Sequence, residues 1–250
     1  MPFIKIKEYF VRRVILKISG EGLGYDKSRG IDPEKVKNLA VEIKDLVSLG
    51  DIELCVIMGA GNIWRGREAE AFNMQRTYAD YMGMLGTILN ALALQTMLED
   101  LGCKTRVMSS LAMPSVAETY VFRRAERHLE KGRIVIFGGG TGLPFFSTDT
   151  TAALRAAELG CDLFLMAKNG VDGVYDKDPR KHKDAKRYQK ISHKKVIEDR
   201  LEVMDLTAIT LCLENDIDIL VFNMNERGNI KRIITNPEIG TLITSSKERK

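Results

Sequence analysis

Arg133-Ile134-Val135-Ile136-Phe137-Gly138-Gly139-Gly140-Thr141-Gly142 sets an apolar strand directly against a run of glycines. Four consecutive apolar β-formers, with no polar residue alternating among them, belong to a strand covered on both faces. Glycine lets backbone N–H groups approach a ligand closely. The same arrangement occurs twice upstream. Residues 11–18 lead into Ser19-Gly20-Glu21-Gly22, and residues 52–58 lead into Gly59-Ala60-Gly61-Asn62-Ile63-Trp64-Arg65-Gly66. Doubly covered strands imply a mostly parallel sheet between helices, whose ligands bind beyond the carboxyl ends of the strands. We therefore expect an α/β protein: a three-layer α/β/α sandwich around a central, mostly parallel sheet. No repeat, linker or low-complexity tract divides the chain, so residues 1–250 read as a single domain.

Outward from these strands, apolar residues recur at helical spacing. Asp32-Pro33 predicts a helix start, since Asp caps well and Pro suits the first helical position. Its buried face is Val36, Leu39, Ala40, Ile43, Leu46 and Val47, and Gly50 is expected to end it in the left-handed conformation. Further helices are expected over 77–101, 119–131, 148–159, 192–200, 205–214 and 226–234. Strands are expected over 104–108, 162–167 and 217–222, with a last edge strand at 241–244.

The 250 residues carry 38 basic and 34 acidic side chains, a net charge of +4 that is too mild to argue for a nucleic-acid partner. Cys55, Cys103, Cys161 and Cys212 lie roughly fifty residues apart, without metal-ligand spacing, and read as reduced thiols, three of them in apolar runs. His128, His182 and His193 add no cluster. No stretch approaches about eighteen consecutive apolar residues and no cleavage signal stands at the N-terminus, so no membrane span and a cytoplasmic location are expected.

None of the three loops fits G-x-x-x-x-G-K-[ST] or G-x-G-x-x-G, so anions must be held another way. Lys17, near the end of an apolar strand, is costly there unless it meets an anion. The alternative is a snorkelling lysine on an edge strand. Arg65 offers a fork for phosphate oxygens, or else a surface ion pair. Thr141 to Asp149 is rich in hydroxyls able to bond a base, a ribose or a phosphate. Within it, Phe145 and Phe146 read first as core, and Thr148 or Asp149 as a helix cap. Asp149 can also orient Lys17 or sit near bound Mg2+.

Seven motifs in order carry a resemblance over most of the chain. They are L-K-I-S-G-E, G-A-G-N-I-W-R-G, D-Y-M-G-M-L from Asp80, T-G-L-P-F-F-S-T-D-T-T-A, N-G-V-D-G-V-Y-D-K-D-P, L-E-V-M-D-L-T-A and V-F-N-M-N. In these the sequence resembles the bacterial uridylate kinases of the amino-acid kinase superfamily, which transfer the γ-phosphoryl of ATP to UMP. The resemblance implies that Lys17, Ile18, Ser19 and Gly20 form the ATP-phosphate loop, with Lys17 the principal transition-state cation. It implies that Gly61 and Arg65 serve the ATP phosphates, that Ala60 and Asp80 contact UMP, and that Asp149 orients Lys17. Thr141, Gly142, Leu143, Pro144, Phe145, Phe146, Ser147 and Thr148 correspond to the UMP segment. Asn169, Tyr175 and Asp178 correspond to the adenine and ribose side of ATP. Mg2+ accompanying the nucleotide, a homohexamer, a place in pyrimidine and CTP biosynthesis, and GTP and UTP as effectors are further implications. Catalysis would rest on Lys17, Arg65 and Asp149.

The sequence departs from the family in places. Leu143 stands where Asn is usual, and Ala60 replaces a common glycine, which requires a negative φ. Arg106 and Arg133 match effector positions, while Gln95, Glu99 and Phe122 do not. Residues 177–195 hold nine Lys or Arg against two Asp, either a solvated loop or an electrostatic funnel for nucleotides. Rival readings are a superfamily kinase acting on a carboxylate or carbamate, a non-catalytic nucleotide-binding storage relative, and a nucleic-acid-binding regulator.

Overall fold

Continuous apolar runs and period-3.6 runs alternate along the chain as strands and helices in the computed structural model, which describes residues 4–6, 9–26, 28–50 and 52–245. The domain expected over 1–250 therefore extends at both ends beyond the described residues. A short hairpin, β1 (Ile4–Ile6) and β2 (Tyr9–Val11), precedes β3 (Arg13–Ile18). Then follow α1 (Pro33–Val47), β4 (Glu53–Met58), α2 (Arg76–Asp100), β5 (Thr105–Ser109), β6 (Glu118–Thr119) and α3 (Phe122–Glu130). The second half holds β7 (Ile134–Gly138), α4 (Thr148–Glu158), β8 (Leu163–Lys168), β9 (Lys190–Ser192), α5 (His193–Glu198), α6 (Leu206–Glu214), β10 (Asp218–Asn223), α7 (Asn229–Thr235) and β11 (Thr241–Thr244).

Nine strands form one sheet in the order β6-β5-β7-β4-β3-β8-β10-β11-β9. Its pairings are parallel except β10 with β11. Alternation along each strand then divides the core. Leu16, Val56, Ile136, Leu165 and Leu220 face α1, α2 and α7. Ile15, Cys55, Val135, Phe164 and Ile219 face the layer of α3 to α6. Each fully buried Leu, Ile or Phe contributes about 1.5–3 kcal/mol. The three-layer sandwich is as expected.

Several local expectations change. The first strand breaks at Arg12, giving up Val11 to the hairpin. Asp32 does cap α1, accepting from the Glu34 and Lys35 amides at 3.0 and 3.4 Å, but Gly50 has φ 157° rather than the left-handed value, because Ser48 already ends the helix. The helix read from 119 starts at Phe122. Glu118 and Thr119 instead pair with Met108 and Ser109, and the Tyr120 amide donates to the Ser109 carbonyl at 2.8 Å. β11 is not the edge, since β9 pairs outside it.

Cys55, Cys161 and Cys212 are buried and Cys103 is half-buried, all unbonded. Burial pushes the Cys212 thiol up to about 12, so it is inert. One described helix, α2, is long and apolar enough to cross a membrane, with mean hydropathy 1.2. Here its Ile88, Ala91, Leu94 and Leu98 pack into the core, as a sheet-covering helix requires.

Candidate active site

β7, β4 and β3 are neighbours, so their three glycine-rich loops share one edge of the sheet. The first two interlock. A Cβ on Gly20 would stand 2.7 Å from the Gly59 carbonyl oxygen and the Gly61 nitrogen, so only glycine permits that approach. Asn90 of α2, fully buried, braces the second loop by donating to the Gly59 carbonyl at 2.7 Å. Asn90 and Asn62 also exchange amide hydrogen bonds at 2.8 and 3.0 Å. Ala60 has no positive φ. Its methyl faces Gly86, where any Cβ would come within 2.9 Å of it, so a glycine on α2 makes room for the alanine. In the third loop Gly139, Gly140 and Gly142 have φ of 79°, 56° and 84°, and the Gly139 amide donates to the Thr87 hydroxyl at 2.8 Å.

Lys17 lies on a central strand, not an edge, which removes the snorkelling alternative. Its ammonium pairs with Asp149 Oδ1 at 2.7 Å, and the two side chains are only 12% and 17% exposed. Asp149 sits in the first turn of α4, where the helix dipole favours a carboxylate. Neither Thr148 nor Asp149 caps that helix; Ser147 does, accepting from the Thr150 amide at 3.0 Å. The Thr150 hydroxyl donates to Asp205 at 2.8 Å, and the Ser147 hydroxyl donates to the same carboxylate. Asp205, unflagged by the sequence, thus moors the start of α4 to α6.

Asp80 and the segment from Thr141 to Thr148 come together. Asp80 accepts from the Phe145 amide at 2.7 Å, and the Arg76 guanidinium lies 4.9 Å over the Phe145 ring. Phe145 has φ 72°, a conformation that costs about 1–3 kcal/mol for a non-glycine residue and marks a site the surroundings over-determine. Leu143, Phe145 and Phe146 are 59%, 62% and 50% exposed. The two aromatics are therefore not core, and Leu143 is an exposed apolar face. Pro144 and Thr141 are half-buried, and the Thr141 hydroxyl folds back on the Leu143 amide at 3.2 Å.

Arg65 pairs with Glu21 at 2.8 Å and donates to the Gly61 carbonyl at 3.1 Å, linking the first two loops. Ile18 is fully buried, so only its backbone can serve a ligand. The Ser19 carbonyl accepts from Gly22 at 3.1 Å. Asn169, Tyr175 and Asp178 line a cleft of about 550 Å3, and Asn169 also lines the neighbouring cleft that holds Glu21 and Arg65. There the Tyr175 hydroxyl donates to Asp172 at 2.6 Å, which raises its pKa. Asn169 accepts from Asn225 at 2.7 Å, and Asp178 from the Arg180 amide at 3.0 Å. Lys168, at the end of β8, lines the same cleft. The signal was visible, a lysine closing an apolar strand as Lys17 nearly does, but the strand was read as ending at Ala167.

A model of the amino acid kinase family matches residues 12–223. A uridylate kinase from Aster yellows witches'-broom phytoplasma is 55% identical over 238 residues, covering 95% of this chain and 98% of that protein. The crystal structure of a UMP kinase from Bacillus anthracis superposes with a TM-score of 0.92 at 40% identity, covering 95% of this chain and 97% of that one. A UMP kinase structure from Ureaplasma parvum gives 0.89 at 36%, covering 95% and 100%.

Proposed function

The chain belongs to the amino acid kinase family, among its uridylate kinases, and on that premise we propose that it transfers the γ-phosphoryl of ATP to UMP, giving UDP and ADP. One observation carries the reading: the Lys17–Asp149 pair at 2.7 Å ties the end of β3 to the start of α4, where the segment from Thr141 ends. UMP lies along Thr141 to Thr148, with Ala60 beside it and Asp80 toward the ribose. ATP lies along Lys17 to Gly20, Gly61 and Arg65, with Asn169, Tyr175 and Asp178 toward adenine and ribose.

The UMP phosphate oxygen is already ionised near neutral pH, so it attacks the γ-phosphorus without a general base. Positioning and charge neutralisation carry the rate. Asp149 holds the Lys17 ammonium at one point, and Lys17 then meets the charge that spreads over the transferring group. Arg65 exchanges its exposed pair with Glu21 for phosphate, at small cost because such surface pairs contribute about 0–1 kcal/mol.

Among the described residues no three His, Cys, Asp or Glu side chains gather as a metal site. A Mg2+ that comes with ATP keeps phosphate and water ligands and asks for few protein donors; Asp149, paired with Lys17 at 2.7 Å, is the carboxylate nearest that lysine. Bound there, Mg2+ would neutralise phosphate charge.

Tyr78, Tyr81, Met82, Leu85 and Leu89 form an exposed apolar face at helical spacing on α2. That face supports self-association and hence the homohexamer. GTP and UTP as effectors, a role in CTP supply, and a cytoplasmic location complete the reading. The test is turnover with UMP, CMP, dUMP and glutamate as acceptors. UMP should be strongly preferred; equal turnover of all four would refute the proposal.

A further inference from the structure

Lys168 stands one residue beyond the pairing of β8 with β3, in which Met166 faces Lys17 and Ala167 faces Ile18. Two residues on from Met166, it points to the same side of the sheet as Lys17. It also lines the cleft of Asn169, Tyr175 and Asp178, so it stands where the lysine pair and that cleft meet.

Its surroundings leave its charge uncompensated. Among the described residues no hydrogen bond or ion pair reaches its ammonium. Burial lowers its pKa most, the charges of Lys17 and Arg180 lower it further, and only Asp149 acts the other way. Asp149 is itself taken at 2.7 Å by Lys17. Lys168 and Lys17 both act on the one carboxylate of Asp149, with Arg180 a further cation acting on Lys168, and such an excess of positive charge partly out of water costs free energy that an arriving polyanion returns.

Resting on the reading of ATP as the donor, we propose that Lys168 is a second catalytic cation, contacting the β- and γ-phosphate oxygens of ATP alongside Lys17. With Lys17 it grips the phosphoryl group from two neighbouring strand ends, so charge moving toward the leaving ADP stays matched throughout transfer. No bond is made to the lysine and no proton moves.

The experiment compares the full-length wild type, Lys168→Met and Lys168→Arg in UDP formation with saturating UMP and varied ATP. Calorimetric binding of UMP and of a non-hydrolysable ATP analogue accompanies it, with thermal midpoints. Lys168→Met should lower kcat about 100-fold, the scale of losing one preorganised charge donor. It should weaken binding of the ATP analogue, keep UMP affinity within about twofold and hold or raise the thermal midpoint, because a poorly solvated charge is gone. Lys168→Arg should recover most of kcat. Turnover by Lys168→Met within about threefold of wild type overturns the inference. So does a loss of kcat accompanied by lost UMP affinity and a lowered midpoint, which would make Lys168 scaffolding. A wild type that does not phosphorylate UMP refutes the assigned reaction instead, and analogue binding by the variants still reports on Lys168 in that case.

Discussion

Asn90 shows how much of the site is set by single buried polar groups. Replacing it with Leu strips partners from the Gly59 carbonyl and from Asn62 together. A buried polar group left unmatched costs about 1–3 kcal/mol, so Asn90→Leu should lower the unfolding free energy by about 2–4 kcal/mol in urea titration. It should also raise the KM for ATP; a loss of stability under about 0.5 kcal/mol would contradict the bracing role. His193 is fully buried, shares a 3.0 Å hydrogen bond with the Ile217 carbonyl, and has a pKa lowered by burial. Its folded pKa lies below the unfolded value of about 6.5, so below that pH the unfolded chain binds a proton the native state resists. Stability should therefore fall as pH drops from 6.5 toward the folded pKa, and His193→Gln should flatten that part of the profile. Parallel wild-type and variant profiles would refute the assignment. At this scale Lys17, Asp149 and Asp80 were legible as residue types at strand ends and in motifs. That Asp80 accepts from the Phe145 amide was not, because the positive φ of Phe145 is imposed by neighbours distant in sequence.

Elements with side-chain caps were legible nearly to the residue. Asp32-Pro33 opens α1, and Ser192 and Asp205 cap α5 and α6 by accepting from Lys195 and Ala208 at 3.1 and 2.9 Å. α3 has Val121 at its cap position, with no side-chain hydrogen bond to mark the start, and the three residues of β9 are too few to show a period. α2, expected over 77–101, runs from Arg76 to Asp100, but its exposed apolar outer face was not legible, since that face is as apolar in places as the inner one. Placing a charge on that outer face should break the proposed assembly. Leu85→Glu with Leu89→Glu should shift the mass measured by light scattering to a smaller species at unchanged helix content, whereas an unchanged mass would place the subunit contacts elsewhere.

Across the whole molecule, the layers followed from doubly covered strands, but the strand order did not. Nothing in the apolar pattern says that β7 inserts between β5 and β4, and that insertion is what sets the three loops side by side. The basic surplus of residues 177–195 also belongs to this scale. Lys177, Lys181, Arg187 and Lys195 are paired with Asp184, Asp178, Asp172 and Asp199. Lys183, Lys186, Lys190 and Lys194 have no ion pair among the described residues, and in the funnel reading it is they that would supply the field. Neutralising those four should raise the KM for ATP several-fold at low ionic strength and little at high, since the Debye length shrinks to roughly 3 Å at 1 M salt; a salt-independent KM would remove the funnel. The proposed reaction sets the Lys17 ammonium, held by the Asp149 carboxylate, between two nucleotides. It is tested most directly by Lys17→Ala, with kcat for UDP formation and the Kd for UMP measured on the same preparation. We predict a fall in kcat of about 100- to 1000-fold with UMP affinity kept within about threefold. Turnover within tenfold of wild type would contradict it.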